Sequence, residues 1–134
     1  MIDLTTLKDL STTTQLPKNT IVIKEGDERP YSMYIVLRGN VRVVKNYGKF
    51  DQAMVATLGP GDFFGEMSLF LSKPRTASVI TVDDPTILLE INYENIYEII
   101  EQSPLLLLGI LKALCSRIDE LNVRVRGDSW VRKP

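Results

Sequence analysis

A mainly β fold followed by C-terminal helices is predicted by three observations in this 134-residue sequence. Residues 20–91 fall into about six short runs rich in Val, Ile, Thr and Tyr, with Gly, Asn, Asp or Pro at each break, the pattern of a sandwich or small barrel. The runs follow one another too closely for crossover helices, which excludes a doubly wound sheet. After Ile91 the apolar period changes from alternation to steps of three and four, the period of a helix.

The elements follow in order. Leu4, Leu7 and Leu10 recur at spacing three and predict a short N-terminal helix within residues 1–18. Residues 11–15 are polar, and Pro17 ends any helix there. Strands are expected over residues 20–24, 32–38, 41–45, 53–58, 76–82 and 86–91. Their breaks are Glu25-Gly26-Asp27, Gly39-Asn40, Asn46-Tyr47-Gly48, Gly59-Pro60-Gly61 and Asp83-Asp84-Pro85. A short helix is expected over residues 93–100, with Ile96, Ile99 and Ile100 on one face. Ser103-Pro104 has the form of a helix start, cap then first-turn proline, and a longer helix should run over residues 105–123. Residues 124–134 read as a tail, with Arg124, Arg126, Arg132 and Lys133 as a solvated basic patch.

The chain's 134 residues and 15.1 kDa suit one domain. Sixteen basic and seventeen acidic residues leave a net charge of -1, so no global positive field draws nucleic acid or anionic lipid. The absence of histidine removes imidazole bases and His-dependent metal sites, and no metal is expected. A single cysteine excludes a disulfide framework within the chain. Cys115 reads as a buried or half-buried helix residue without a catalytic partner. The N-terminus has no secretory pattern, and the apolar stretch at residues 105–111 falls short of the ~20 residues of a membrane span. A cytoplasmic protein with no membrane partner is the expectation.

Residues 63–77, FFGEMSLFLSKPRTA, interrupt two strands without being a simple turn. Residues 66–70 can form one helical turn directly after Gly65, and a helix start after glycine presents free N–H groups to an anion. Nine positions beyond Glu66, Arg75 opens a strand, where its guanidinium can close on the same anion. Taken alone, Glu66 and Arg75 would be a surface pair. Phe63, Phe64 and Phe70 read as core packing around the cradle.

This segment resembles the phosphate-binding cassette of the cyclic nucleotide-binding domains, found in catabolite-activator-type regulators, cyclic-nucleotide-dependent kinases and cyclic-nucleotide-gated channels. Gly65, Glu66, Met67, Ser68, Leu69, Pro74, Arg75, Thr76 and Ala77 stand at the family's spacing. Residues 25–27, 33–43 and 58–66 match as well, and the resemblance spans about residues 16–122. It implies a jelly-roll-like β barrel (a double-stranded β-helix) over residues 20–91, carrying the cassette at 63–77, with C-terminal helices over 93–123. It also implies a sensor of a 3′,5′-cyclic purine nucleotide, cyclic AMP or cyclic GMP, with no catalytic residue. Glu66 would accept from the ribose 2′-hydroxyl and Arg75 would pair with the cyclic phosphate. Thr76 would add a hydroxyl, and amides around Met67, Ser68 and Ala77 would complete the cradle. Glu66 would also lie close enough to Arg75 to orient it. Alignment places Leu121 and Asn122 where activator-type regulators contact the base, and of the two only Asn122 can hydrogen-bond.

On the last helix, Leu107, Leu111, Leu114, Ile118, Leu121 and Val125 fall at spacings of four and three, an a/d seam suited to a homodimer. Leu106, Ile110 and Ala113 can face the β body instead. Binding would then be signalled through this helix and a dimer rearrangement. No segment has the form of a DNA-recognition helix, and with Met1 at the start a stand-alone sensor is the expectation. The alternative is a family relative that keeps the fold but serves as an oligomerisation or protein-interaction domain. A small cupin-like enzyme is a third class, for which the His cluster is missing.

Overall fold

The structure, a computed structural model, describes residues 13–127 and, within these, the side chains up to residue 123. The helix expected on Leu4, Leu7 and Leu10 lies outside the described residues. So do the side chains of Arg124, Val125 and Arg126, and Arg132 and Lys133 entirely. The described elements are β1 (Thr13–Leu16), β2 (Ile21–Ile23), β3 (Met33–Arg38), β4 (Val41–Lys45), β5 (Ala53–Leu58) and β6 (Phe63–Phe64), then α1 (Glu66–Leu71), β7 (Ser78–Thr81) and β8 (Thr86–Ile91), then α2 (Ile96–Gln102) and α3 (Pro104–Gly127).

The strands make two antiparallel four-stranded sheets, ordered β1-β8-β3-β6 and β2-β7-β4-β5. The expected β barrel therefore does not form. Neither sheet closes, because among the described residues no strand pairs in both sheets and the edge strands β1, β6, β2 and β5 have no ladder joining them. The chain changes sheet at nearly every connection, and only the β4–β5 hairpin stays in one. Very short strands at β2 and β6 end their ladders after two or three residues. The result is an open sandwich.

In the β1-β8-β3-β6 sheet the two middle strands, β8 and β3, are buried on both faces, which explains the near-continuous apolar run in β3. Val36, Phe64 and Leu88 point between the sheets against Ile23, Val41 and Val79. Met33, Ile35, Phe63, Leu89 and Ile91 point the other way, against Leu69 of α1, Ile99 of α2 and Leu106 and Ile110 of α3. The alternation is the strand period of two. Three layers follow: sheet, sheet, helices.

Several boundaries differ from expectation. Residues 13–16 form a strand, not a polar loop, because their partner β8 accepts the whole register from Thr13–Leu89 to Leu16–Thr86. Phe63–Phe64 is a strand, paired with Ile35 and Tyr34. α2 starts three residues later than expected: Asn92 Oδ1 accepts from the amides of Glu94 and Asn95, and Asn95 Oδ1 accepts from the Asn92 amide, so residues 92–95 form an Asx turn. Pro104 begins α3 as expected, and α2 and α3 meet at a 105° bend. Phe70 and Cys115 are exposed, against the expected burial of each. Among the described residues no single helix is long and apolar enough to cross a membrane.

Leu106 and Ile110 face the body, as expected. The seam is narrower than the heptad count implies. Leu111, Ile118 and Leu121 are 50%, 58% and 56% exposed, whereas Leu107 is half-buried and Leu114 packs against the helical side of the core.

Two consequences are testable. Leu89→Ala, at a side chain 1% exposed, should cost about 2–5 kcal/mol in urea unfolding. Tyr34 donates its hydroxyl to Glu90 Oε1 at 3.2 Å and stacks on Phe64 at 5.3 Å. Burial first, then the Glu90 charge, pushes its pKa up to about 12 from 10.0. The neutral phenol is favoured in the fold, so this stabilisation is intact below pH ~10 and is lost as pH rises toward 12. Thermal melts of wild type and Tyr34→Phe across pH 9–12 should show the alkaline decline shallower in the variant.

Candidate functional site

The β6–α1 turn and the start of β7 meet over a cavity of about 300 Å³ between the two sheets and α3. Its floor is apolar, formed by Ile23, Val43, Leu58, Phe64 and Val79. Its polar rim comes from Glu66, Ser68, Arg75, Thr76 and Arg117.

Gly65 makes the turn possible. Its φ is +83°, in the left-handed region, and a Cβ there would lie 2.8 Å from Arg75 Nη1 and 2.9 Å from the Ser32 carbonyl. Only glycine meets both demands. The amides of the first turn of α1 follow, uncapped by any side chain, and Glu66, Met67 and Ser68 all line the cavity.

Arg75 is 9% exposed. Its Nη2 donates to the Ser32 carbonyl at 2.7 Å and its Nη1 to the Gly65 carbonyl at 3.1 Å. Its backbone is clamped too: the Arg75 amide donates to Asp27 O at 3.1 Å, and the Gly26 amide to Arg75 O at 2.8 Å. Arg75 does not open a strand as expected: β7 begins three residues later, at Ser78, and the Glu25-Gly26-Asp27 turn fixes the connecting segment that carries the guanidinium. Burial lowers the Arg75 pKa from its ordinary value, opposed by the nearby acidic groups of Tyr34, Asp27, Tyr31 and Glu66. Among the described residues no carboxylate forms a salt bridge with it. A buried cation held by neutral carbonyls at a cavity edge calls for an anion from outside.

Glu66, also 9% exposed, does not orient Arg75 as expected. Its Oε1 pairs with Arg117 Nη1 at 2.5 Å. Arg117 also donates to the Phe63 carbonyl at 3.3 Å and lies over the Phe63 ring at 4.5 Å. Glu66 acts on Arg75 only through space, and its ion pair is with Arg117 of α3.

The structure brings together Gly65, Glu66, Met67, Ser68, Arg75, Thr76 and Ala77 as expected from sequence. Asn122 is exposed on α3 and does not line the cavity. Arg117 was missed. A signal for it does exist: it continues the body-facing series Leu106, Ile110, Ala113 at spacings of four, three and four, where a cation is out of place unless it meets an acid.

Comparison with known proteins gives one consistent answer. The cyclic nucleotide-binding domain family matches residues 13–103. The cyclic AMP receptor protein of Thermus thermophilus is 31% identical over 109 residues, which cover 81% of this chain and 50% of that protein. A cGMP-dependent protein kinase of Plasmodium berghei is 41% identical over 69 residues, 52% of this chain and 7% of the kinase. The chain thus spans half or less of these relatives. Among solved structures, the Thermus thermophilus catabolite activator protein superposes with a TM-score of 0.72 at 29% identity, covering 90% of this chain and 56% of that one. A cyclic nucleotide-binding domain from Methylobacillus flagellatus superposes with a TM-score of 0.68 over 91% of this chain and 70% of its own; at 23% identity it speaks for the fold alone.

Proposed function

The chain belongs to the cyclic nucleotide-binding domain family, and we propose that it is a regulatory binding module in signal transduction, not an enzyme, whose cavity holds a 3′,5′-cyclic purine nucleotide with Arg75 on the cyclic phosphate. The observation that carries this assignment is the buried Arg75 guanidinium, which lacks a carboxylate partner among the described residues and borders an apolar cavity. A cyclic phosphodiester has one negative charge, and one guanidinium with the first amides of α1 matches it. The purine would lie on the apolar floor. Glu66 would accept the ribose 2′-hydroxyl on Oε2, since Arg117 engages Oε1. Thr76, exposed at the rim, would offer its hydroxyl to the phosphate or the base, be it adenine or guanine.

Arg117 gives the output. It ties α3 to Glu66 and Phe63, so a ligand that contacts Glu66 changes what α3 is bound to. A second copy of the chain would cover the exposed stripe of Leu111, Ile118 and Leu121, making a homodimer whose geometry depends on occupancy. The same reading places the module in the cytoplasm, where the lone exposed Cys115 stays reduced.

Calorimetry with cyclic AMP and cyclic GMP should give binding near micromolar for at least one, about -8 kcal/mol. Arg75→Ala should lose about 2–5 kcal/mol of that, since the buried phosphate would lose its charged partner. Glu66→Gln should weaken binding less and shrink the preference over the 2′-deoxy cyclic nucleotide. No heat and no thermal shift with either nucleotide at millimolar concentration would reject the proposal.

The assembly is checked separately. In sedimentation equilibrium at ~100 micromolar the wild type should be dimeric, and Ile118→Glu should be monomeric, since a charge on an apolar contact disfavours it. A monomeric wild type, with and without nucleotide, would reject the dimer.

A further inference from the structure

We propose that Tyr31 is a positioning residue for the anion site, its ring closing the outer face of the Arg75 guanidinium so that the remaining N–H groups are presented to the cavity. This rests on the reading of Arg75 as the phosphate partner and deepens it.

The placement carries the inference. The Arg75 guanidinium carbon lies 5.0 Å from the centroid of the Tyr31 ring, within cation–π range. Arg75 lines the inner cavity and Tyr31 does not. Tyr31 instead lines an open groove on the other side, with Arg29, Pro30, Ser72, Pro74 and Tyr93. The ring thus stands between the guanidinium and this outer groove. Two donors of the fork are bound to the Ser32 and Gly65 carbonyls. A guanidinium carries five N–H donors and no acceptor, so the others are left for a ligand.

Without the ring, two things change. Water in the groove reaches the guanidinium, and the local dielectric that strengthens its attraction for an anion rises. The side chain also gains a way out, toward the exposed acids Asp27 and Glu28 on the same loop. Tyr31 half-buries itself in the opposite role, a flat lid supplied by the residue next to the one whose carbonyl binds Nη2. Residues 25–32 therefore form a collar: Gly26 and Asp27 hold the backbone of Arg75, Ser32 holds its fork, and Tyr31 covers its face.

The test uses the full chain and cyclic AMP and cyclic GMP as probes. By calorimetry, Tyr31→Leu should weaken the bound nucleotide about 3- to 10-fold, while Tyr31→Phe, which keeps the ring, should stay within about twofold of wild type. Arg75→Ala runs beside them. NMR of the nucleotide-free protein reads the contact directly: the Arg75 Hδ and Nε–H signals should be shifted upfield by the ring in wild type and Tyr31→Phe, and released in Tyr31→Leu. Tyr31→Leu binding like wild type while Arg75→Ala does not would overturn the role of Tyr31 and leave the phosphate reading standing. Equal loss in Tyr31→Phe and Tyr31→Leu would also overturn it, because the hydroxyl and not the face would then matter. Arg75→Ala binding like wild type would remove the phosphate reading and the positioning role together. Should Tyr31→Leu fail to fold, unshifted Arg75 signals in the wild type would overturn the proposal by themselves.

Discussion

A buried guanidinium with no salt bridge among the described residues is the constraint around which this domain is arranged. Arg75 is 9% exposed, and its fork rests on two backbone carbonyls. Carbonyls orient a cation but do not neutralise it. Everything close to Arg75 follows from meeting that condition. Gly65 must lack a side chain so that its carbonyl and the turn can approach Nη1. Residues 25–32 must wrap the segment that leads into β7, because an unsupported arginine would leave for water. α1 is held to the body from outside as well, by the Tyr93 hydroxyl donating to the Leu69 carbonyl.

The burial of β8, β3 and β6 on both faces of their sheet connects this site to the helices. Phe63 and Phe64 are adjacent in β6 and point to opposite sides. Phe64 joins the floor between the sheets, and Phe63 joins the core shared with α1, α2 and α3. Phe63 is also the ring on which Arg117 lies. Phe63 therefore belongs both to the cavity wall and to the core beneath the helices, and packed interiors transmit displacement because they have little free volume.

Much of this was legible in the sequence, for identifiable reasons. β4 and β8 show their limits because Gly, Asn, Asp or Pro stands at both ends of each. The cassette was legible because its chemistry needs fixed residue types at fixed spacing, and seven of its residues do line the cavity. β1 was not legible: Thr-Thr-Gln-Leu becomes a strand only when β8 is there to pair with it. Closure of the sheets was misjudged because strand count does not say which edges meet. Arg117 was hidden by distance, with 51 residues separating it from Glu66. Asn122 stands at the base-contacting position only by its resemblance to activator-type regulators, and α3 turns it toward solvent.

The placement of Arg117 gives α3 two different faces within one turn. Arg117 reaches inward to Glu66, and Ile118, the next residue, is 58% exposed on the apolar stripe. A rotation or slide of α3 that lengthens the Arg117–Glu66 contact must also move Ile118 and Leu121. Arg117 is 42% exposed in its side chain, so the contact is partly screened by solvent and is a modest restraint, one a ligand can compete with. A strong, fully buried pair would lock α3 regardless of occupancy. Any partner that covers the stripe would therefore bias Glu66, and any ligand on Glu66 would bias the stripe by an equal coupling free energy.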